Sequence, residues 1–133
     1  MKPDPFLLGQ RLALLSSALA AFLLALFGVT WWLGPEHTAL IFGVSLSGPA
    51  VAYGRVKGTE DLLAAAVLAV GSARGKGCWR SAALAAGSLV PVGDLAALLS
   101  VGIVQPSVLW IHVAFIIVMG ASAVVLHFER KSP

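Results

Sequence analysis

Long uncharged apolar stretches alternate with short polar breaks along this chain. About twenty residues at 1.5 Å each span the ~30 Å hydrocarbon layer of a bilayer as a helix. We predict membrane spans at about 12–33, 55–73, 81–101 and 108–128. The pattern therefore predicts an all-α fold, an integral membrane four-helix bundle that forms a single domain over residues 1–133.

The segment between the first two predicted spans has a different pattern. Residues 34–37, Gly-Pro-Glu-His, are predicted to end the first helix. The 16 residues 38–53 are apolar, but glycines, serines and Pro49 interrupt them. This segment is too short and too broken for a straight span, so we expect a short interfacial or re-entrant segment. Were it a full span, the chain would have five spans and its termini would lie on opposite sides.

The composition supports a membrane protein and argues against a soluble domain and a nucleic-acid-binding protein. The chain is 59% hydrophobic and 11% charged, whereas soluble domains are about a quarter charged. The net charge of +3 comes from basic residues at the span ends, where they meet lipid head groups, so we expect the bilayer and no nucleic acid as a partner. The single Cys78 excludes an internal disulfide and a cysteine metal cluster. We expect no cofactor and no metal.

The distribution of basic residues predicts the orientation in a plasma membrane or endomembrane. With four spans, the two termini and the middle loop share one side. Seven basic residues lie on that side: Lys2, Arg11, Arg74, Lys76, Arg80, Arg130 and Lys131. Only Arg55 and Lys57 lie on the other side. The positive-inside rule therefore predicts that both termini are cytoplasmic.

One carboxylate, Asp94, lies well inside the third predicted span. A carboxylate at that depth costs a few kcal/mol to insert, so it is expected to face a polar interior and to serve function. Counting at 1.5 Å per residue puts Asp94 roughly 10 Å from the outer surface, at the depth of Glu60, Asp61 and His112. These four are the candidate catalytic residues. The candidate substrate-binding residues nearby are Tyr53, Arg55, Lys57 and Trp110.

Each candidate also has a purely structural interpretation. Asp94 could form a salt bridge with Arg55 and fix helix packing. Glu60 and Asp61 are adjacent on a helix and point ~100° apart; we expect Asp61 to face inward, while Glu60 is equally compatible with either direction. Lys57 precedes Asp61 by four residues and could pair with it. His112 alone would be an ordinary interior histidine.

Three short motifs resemble a known family. Residues 55–63, RVKGTEDLL, residues 89–95, LVPVGDL, and His112 are similar to domain of unknown function 4267, a family of small four-span membrane proteins related in style to DoxX-like proteins. Glu60 departs from the family pattern, which usually has arginine at that position. The resemblance implies that the ionisable residues near the outer surface (Glu60, Asp61, Asp94 and His112) form the family's shared site, but it supplies no reaction.

The cluster itself predicts proton-transfer chemistry. Two carboxylates held close in a low-dielectric pocket cannot both ionise easily, so one can serve as an acid and the other as a base. His112 could carry a proton between them. We therefore expect a metal-independent enzyme acting on a hydrophobic small molecule that enters from the lipid, by epoxide opening (hydrolysis or cyclisation) or isomerisation. Asp94 would be the general base and Asp61 or Glu60 the acid.

The sequence is also compatible with two other classes of function. A proton-coupled small-molecule transporter would use the same carboxylates as a proton relay. A non-catalytic ligand-binding or structural subunit would use them to hold helices together. The small residues at the start of the third span favour close packing, which is compatible with a homodimer.

Overall fold

The computed structural model describes residues 5–74, 77–100, 102 and 106–128. All the regular elements in these ranges are helical, which confirms the all-α prediction. They are α1 (Pro5–Leu33), α2 (Pro35–Ile41), a single 3₁₀ turn (Gly48–Ala50), α3 (Val51–Ala73), α4 (Gly77–Ser100) and α5 (Pro106–Phe128). Four of the basic residues used for the orientation, Lys2, Lys76, Arg130 and Lys131, lie outside the described residues, as do residues 103–105 between the third and fourth predicted spans.

The long helices start earlier than the apolar pattern predicts. The structure begins α1 at Pro5, α3 at Val51, α4 at Gly77 and α5 at Pro106. Hydropathy marks only the apolar part of a helix, whereas backbone hydrogen bonding continues into the polar residues that precede it. Proline fits the first turn of a helix because the amide hydrogen that it lacks has no partner there. The predicted spans therefore begin several residues too late. Three of them end where the helices end, at residues 33, 73 and 128, and residue 101 of the other lies outside the described residues.

The connection between α1 and α3 is partly helical and partly irregular. The chain breaks at Gly34 as predicted, but α2 begins immediately at Pro35. Gly43 and Gly48 have φ values of 74° and 56°, in the left-handed region that favours glycine. These residues let the chain leave α2 and turn into α3. We call residues 34–50 the connector; it contains no straight helix long enough to cross a bilayer.

Hydrogen bonds at both ends show that α1 and α3 are antiparallel. Near the end of α1, the indole nitrogen of Trp32 donates to the hydroxyl of Thr59, 3.2 Å away. Near its start, the hydroxyls of Ser17 and Ser72 are hydrogen-bonded at 2.5 Å. Since early residues of one helix meet late residues of the other, the two helices run in opposite directions.

The same reasoning places α4 antiparallel to α5. The hydroxyl of Ser81, in the first turns of α4, donates to the carbonyl oxygen of Ala123 at 2.8 Å. Further along α4, Asp94 lies 3.7 Å from His112, near the start of α5. Helix α4 also packs on α3, and α5 packs back on α1. The four long helices thus form a closed bundle of antiparallel neighbours.

Two glycines allow the backbones of α1 and α3 to approach closely. A Cβ atom on Gly58 would lie 2.8 Å from the carbonyl oxygen of Gly28, and one on Gly28 would lie 2.9 Å from that of Gly58. Small residues at helix interfaces permit this kind of packing in membranes. Gly58 follows Lys57 directly and precedes Asp61 by three residues, so the contact sets the position of the polar part of α3.

The exterior of the bundle is apolar, as expected for a surface in contact with lipid. Large exposed side chains include Leu15, Phe22, Leu63, Leu89 and Ile117. Within the described ranges, three helices are long and apolar enough to cross a membrane, at Leu8–Leu33, Cys78–Ser100 and Pro106–Phe128. A water-soluble monomer rarely exposes so much apolar surface. The chain is therefore a membrane protein.

Candidate functional site

A cavity of about 200 Å³ lies between the long helices, at the end of the bundle where the connector packs. All four long helices and the connector contribute to its wall. The polar side chains in the wall are those of Lys57, Asp61, Asp94 and His112, which we call the polar cluster. The other side chains lining the cavity are apolar.

Lys57 is the centre of the polar cluster. Its ammonium group is hydrogen-bonded to Asp61, one helical turn further along α3. The same nitrogen lies 3.0 Å from Oδ2 of Asp94 on α4. An ammonium group has three hydrogens and no acceptor, so it can donate to both carboxylates at once. Lys57 therefore joins the two carboxylates that the sequence predicted would meet.

The two carboxylates differ in their access to the cavity. Asp61 is buried, with 5% of its side chain exposed, whereas 22% of the Asp94 side chain is exposed. Asp94 follows Pro91 by less than one helical turn, and Pro91 also lines the cavity. A proline inside a helix leaves the carbonyl four residues earlier without its usual backbone donor. The exposed fractions show that Asp94 is the more accessible of the two carboxylates.

His112 completes the polar cluster from α5. Its Nδ1 atom donates to the carbonyl oxygen of Val108 at 2.8 Å, so Nε2 is the nitrogen that faces Asp94, 3.7 Å from Oδ2. In a neutral ring of this tautomer, Nε2 is an acceptor. A proton on either Nε2 or Asp94 would turn this contact between two acceptors into a donor–acceptor pair.

Such a proton would make the polar cluster electrically neutral. When His112 carries it, two cations face two carboxylates; when Asp94 carries it, Lys57 and Asp61 form a single ion pair. Neutrality in either state matters because uncompensated charge is costly in a low-dielectric interior. The cluster can therefore move a proton between His112 and Asp94 without changing its net charge.

Aromatic side chains form the wall beside His112. Phe42 of the connector stacks on Trp31 with a ring-centre separation of 5.8 Å and makes edge contacts with Phe27 and His112 at 5.8 and 6.1 Å. Sequence reasoning did not single out these aromatic residues. No spacing in the sequence distinguishes an aromatic residue that faces the cavity from one that faces lipid.

Several predicted site residues lie away from this cavity. The side chain of Glu60 is 53% exposed and lies 3.9 Å from Lys57. Arg55 is exposed, and the cation that reaches Asp94 is Lys57, not Arg55 as the packing interpretation expected. Tyr53 and Trp110 are 75% and 70% exposed and are not among the described residues of the wall. Substrate binding by Tyr53, Arg55 and Trp110 stays a prediction.

The described residues include no group of three or more His, Cys, Asp or Glu side chains that could hold a metal ion. The nitrogen and oxygen atoms of the polar cluster instead face one another, with the ammonium of Lys57 between two carboxylates. This arrangement can bind a polar group at the end of a hydrophobic molecule and exchange protons with it.

The opposite end of the bundle also contains polar contacts, which the sequence did not predict. The Ser17 and Ser72 hydroxyls are hydrogen-bonded to each other, and Nε of Arg80 donates to the carbonyl oxygen of Ser72 at 3.1 Å. Between these contacts and the cavity lies a buried apolar core that includes Leu68, Leu84 and Met119. The polar cluster and these serines are therefore separated by packed apolar side chains.

Comparison with known proteins connects the chain to one family. A family model described as a domain of unknown function, DUF4267, matches residues 21–126. The match includes the connector and all four members of the polar cluster. No curated protein and no solved structure matches the chain.

Proposed function

Because the chain belongs to the DUF4267 family, whose description gives no function, we propose a function from the geometry of its cavity: a membrane-embedded acid–base enzyme that opens epoxides on small hydrophobic molecules. The observation that carries the proposal is the placement of Asp94 and His112, 3.7 Å apart, on the wall of an otherwise apolar cavity.

The enzyme is proposed to cross the membrane four times, with both termini in the cytoplasm. Helix α3 has 23 residues, a length of about 34 Å at 1.5 Å per residue. It packs along α1 from Thr59 to Ser72, so it occupies the same layer as a helix that is apolar enough to span. Charged side chains in α3 weigh against its crossing the membrane, but two of them, Lys57 and Asp61, line the cavity. These two charges are compatible with a fourth span.

A substrate with one polar oxygen and an apolar body fits this cavity. The apolar wall would hold the body, and the polar cluster would bind the oxygen. The volume of about 200 Å³ is below the ~300–1,000 Å³ typical of drug-sized ligands. The enclosed part of the substrate is therefore small.

The spacing of Asp94 and His112 supports epoxide opening. In an in-line displacement, the attacking and leaving oxygens lie on opposite sides of one carbon, and reacting atoms approach to about 3–3.5 Å before the bond forms. The group that accepts the water proton and the group that protonates the epoxide oxygen must therefore be close neighbours. The separation of Asp94 Oδ2 and His112 Nε2 is 3.7 Å. One group can therefore contact the attacking water while the other contacts the epoxide oxygen.

The proposed step conserves both atoms and charge. Asp94 removes a proton from water as the water oxygen bonds to an epoxide carbon and the carbon–oxygen bond of the ring breaks. His112 gives its Nε2 proton to the released oxygen, and the product is a diol. Transfer of the proton from Asp94 to Nε2 restores the starting state. An internal hydroxyl in place of water gives cyclisation by the same route.

These roles differ in part from those expected from the sequence. Asp94 keeps the role of general base, but His112 replaces Asp61 or Glu60 as the acid. Asp61 is hydrogen-bonded to Lys57 and buried, so it holds the ammonium in place. Lys57 in turn orients Asp94. Isomerisation of a double bond is the second candidate, because the same proton donor and acceptor face one side of the cavity.

The transporter alternative has less support. A proton-coupled carrier exposes its site to each side of the membrane in turn. In the described part of the chain, Leu68, Leu84 and Met119 are fully buried between the cavity and the opposite end of the bundle. A ligand-binding subunit without catalysis would use the same cavity, and a measurement of turnover distinguishes it from an enzyme.

The test uses purified protein in lipid nanodiscs with a panel of lipophilic epoxides in ¹⁸O-labelled water. The proposal expects a diol that carries one label and whose formation stops in Asp94→Asn. Double-bond migration in unsaturated ketones, without diol, supports the isomerase instead. Ligand binding with no product from either panel would contradict an acid–base enzyme, and proton-dependent flux in vesicles without turnover would favour the transporter.

A further inference from the structure

A second cavity lies along the seam between α1 and α5. Its volume is about 180 Å³, and its lining includes Leu19 and Leu23 from α1 and Ala114, Phe115 and Val118 from α5. Apart from Ser16, the residues that line it are apolar. Leu19 and Val118 are also exposed on the outside of the bundle, so this cavity opens to the lipid.

The two cavities are neighbours that share one side chain. Phe115 lines both of them. On α1, the first cavity reaches Leu24, and the second continues from Leu23 back to Ser16. Eight residues of helix cover about 12 Å. The two cavities therefore form one line along the α1–α5 seam, which starts at the polar cluster and is divided by the ring of Phe115.

We propose that this seam binds the alkyl tail of the substrate and that Phe115 determines how far the tail extends. This inference rests on the proposed function and specifies its substrate class: a lipophile with its reactive oxygen at one end and an unbranched chain behind it. The polar cluster holds the oxygen, the first cavity encloses the adjoining carbons, and the chain passes Phe115 into the second cavity.

Two features of the seam favour an alkyl chain over other occupants. Its lining presents almost no hydrogen-bonding group, so it offers nothing to a peptide or a sugar. It also faces the lipid at the level of the apolar core, where alkyl chains are the surrounding solvent. A chain that lies in the seam can enter from the bilayer without crossing water.

Ala114→Trp tests the proposal because Ala114 lines the second cavity and is not among the residues that line the first, so the larger side chain is expected to fill the second cavity. Ala114 is exposed and not packed in the apolar core, so the fold is expected to tolerate the substitution. The variant is expected to raise the KM for epoxydodecane about tenfold and to leave both its kcat and the KM for epoxyhexane unchanged. Phe115→Ala joins the cavities and is expected to lower the KM for the long substrate relative to the short one.

Ile117→Trp is the matched control. It adds the same side chain to α5 at a position that is exposed and lines neither cavity. It is expected to behave as the unmodified protein with both substrates. If Ala114→Trp shows the dependence on chain length of the unmodified protein, or if Ile117→Trp shows the same loss, the seam does not bind the tail.

A second measurement separates failure of this inference from failure of the proposed function. Dodecanol and hexanol occupy the site without reacting, and their binding is measured as a rise in melting temperature in nanodiscs. We expect the melting temperature to rise more with dodecanol than with hexanol. This difference should be lost in Ala114→Trp but not in Ile117→Trp. This result would stand even if no epoxide were turned over. Equal rises for both alcohols would overturn the inference.

Discussion

The Nζ atom of Lys57 lies 3.0 Å from Oδ2 of Asp94, across the interface between α3 and α4. The same ammonium group is hydrogen-bonded to Asp61. Lys57 therefore compensates two carboxylates within an apolar bundle, and a proton on either His112 or Asp94 would make the group neutral. We therefore expect both the stability of the fold and the proposed chemistry to depend on this one cation.

Lys57→Met is expected to destabilise the protein by about 3 kcal/mol, because it leaves two mostly buried carboxylates without a cation. The free energy of unfolding in mild detergent measures the effect. Arg55→Met is the control, since Arg55 is an exposed base on the same helix; it is expected to cost less than about 0.5 kcal/mol.

The double variant Lys57→Met with Asp61→Asn tests the pairing itself. Removing both members of a buried ion pair costs less than removing one, because the double variant leaves only Asp94, instead of both carboxylates, without the cation. The double variant is expected to be more stable than Lys57→Met alone. Losses that simply add would show that Lys57 and Asp61 act independently.

Gly58→Ala is expected to cost about 1–3 kcal/mol of stability, because the new methyl group would overlap the backbone of α1. Gly120→Ala is the matched substitution in open space, where a Cβ meets no atom within 4 Å. It is expected to be neutral or to stabilise by up to about 1 kcal/mol. Equal effects of the two substitutions, measured by thermal unfolding, would contradict the close packing of α1 on α3.

The proposed orientation predicts the reactivity of Cys78, in the first turn of α4. A thiol reagent that cannot cross membranes should label Cys78 in intact cells only after the membrane is permeabilised. In a Cys78→Ser background, Ser107→Cys at the start of α5 should be labelled from outside. Labelling of Cys78 from outside would contradict the proposed orientation.

The sequence predicts the membrane class and the depth of the ionisable residues well, because both follow from counting residues along apolar helices. Glu60, Asp61, Asp94 and His112 were expected at one depth. The structure brings Asp61, Asp94 and His112 together around one cavity, whereas Glu60 is exposed and is not among the residues that line it. The inward direction of Asp61 was expected as well, and the residue is buried.

The role of Lys57 could not be predicted in the same way. Its pairing with Asp61 follows from their spacing on one helix, but its contact with Asp94 depends on how α3 and α4 are rotated about their axes. That rotation is set by packing between helices, including the close contact of Gly28 with Gly58. The same limit applies to Phe42, which reaches His112 only because the connector folds back over the bundle.

The most direct test of the account compares Asp94→Asn with Glu60→Gln in lipid nanodiscs, with a lipophilic epoxide that the unmodified protein converts to a diol. Both substitutions remove one carboxylate charge from the same end of the bundle, but only Asp94 lines the cavity. If Asp94 is the general base, Asp94→Asn lowers kcat about 10²–10⁴-fold, while Glu60→Gln leaves kcat unchanged. Undiminished turnover by Asp94→Asn, or an equal loss in both variants, would contradict the account.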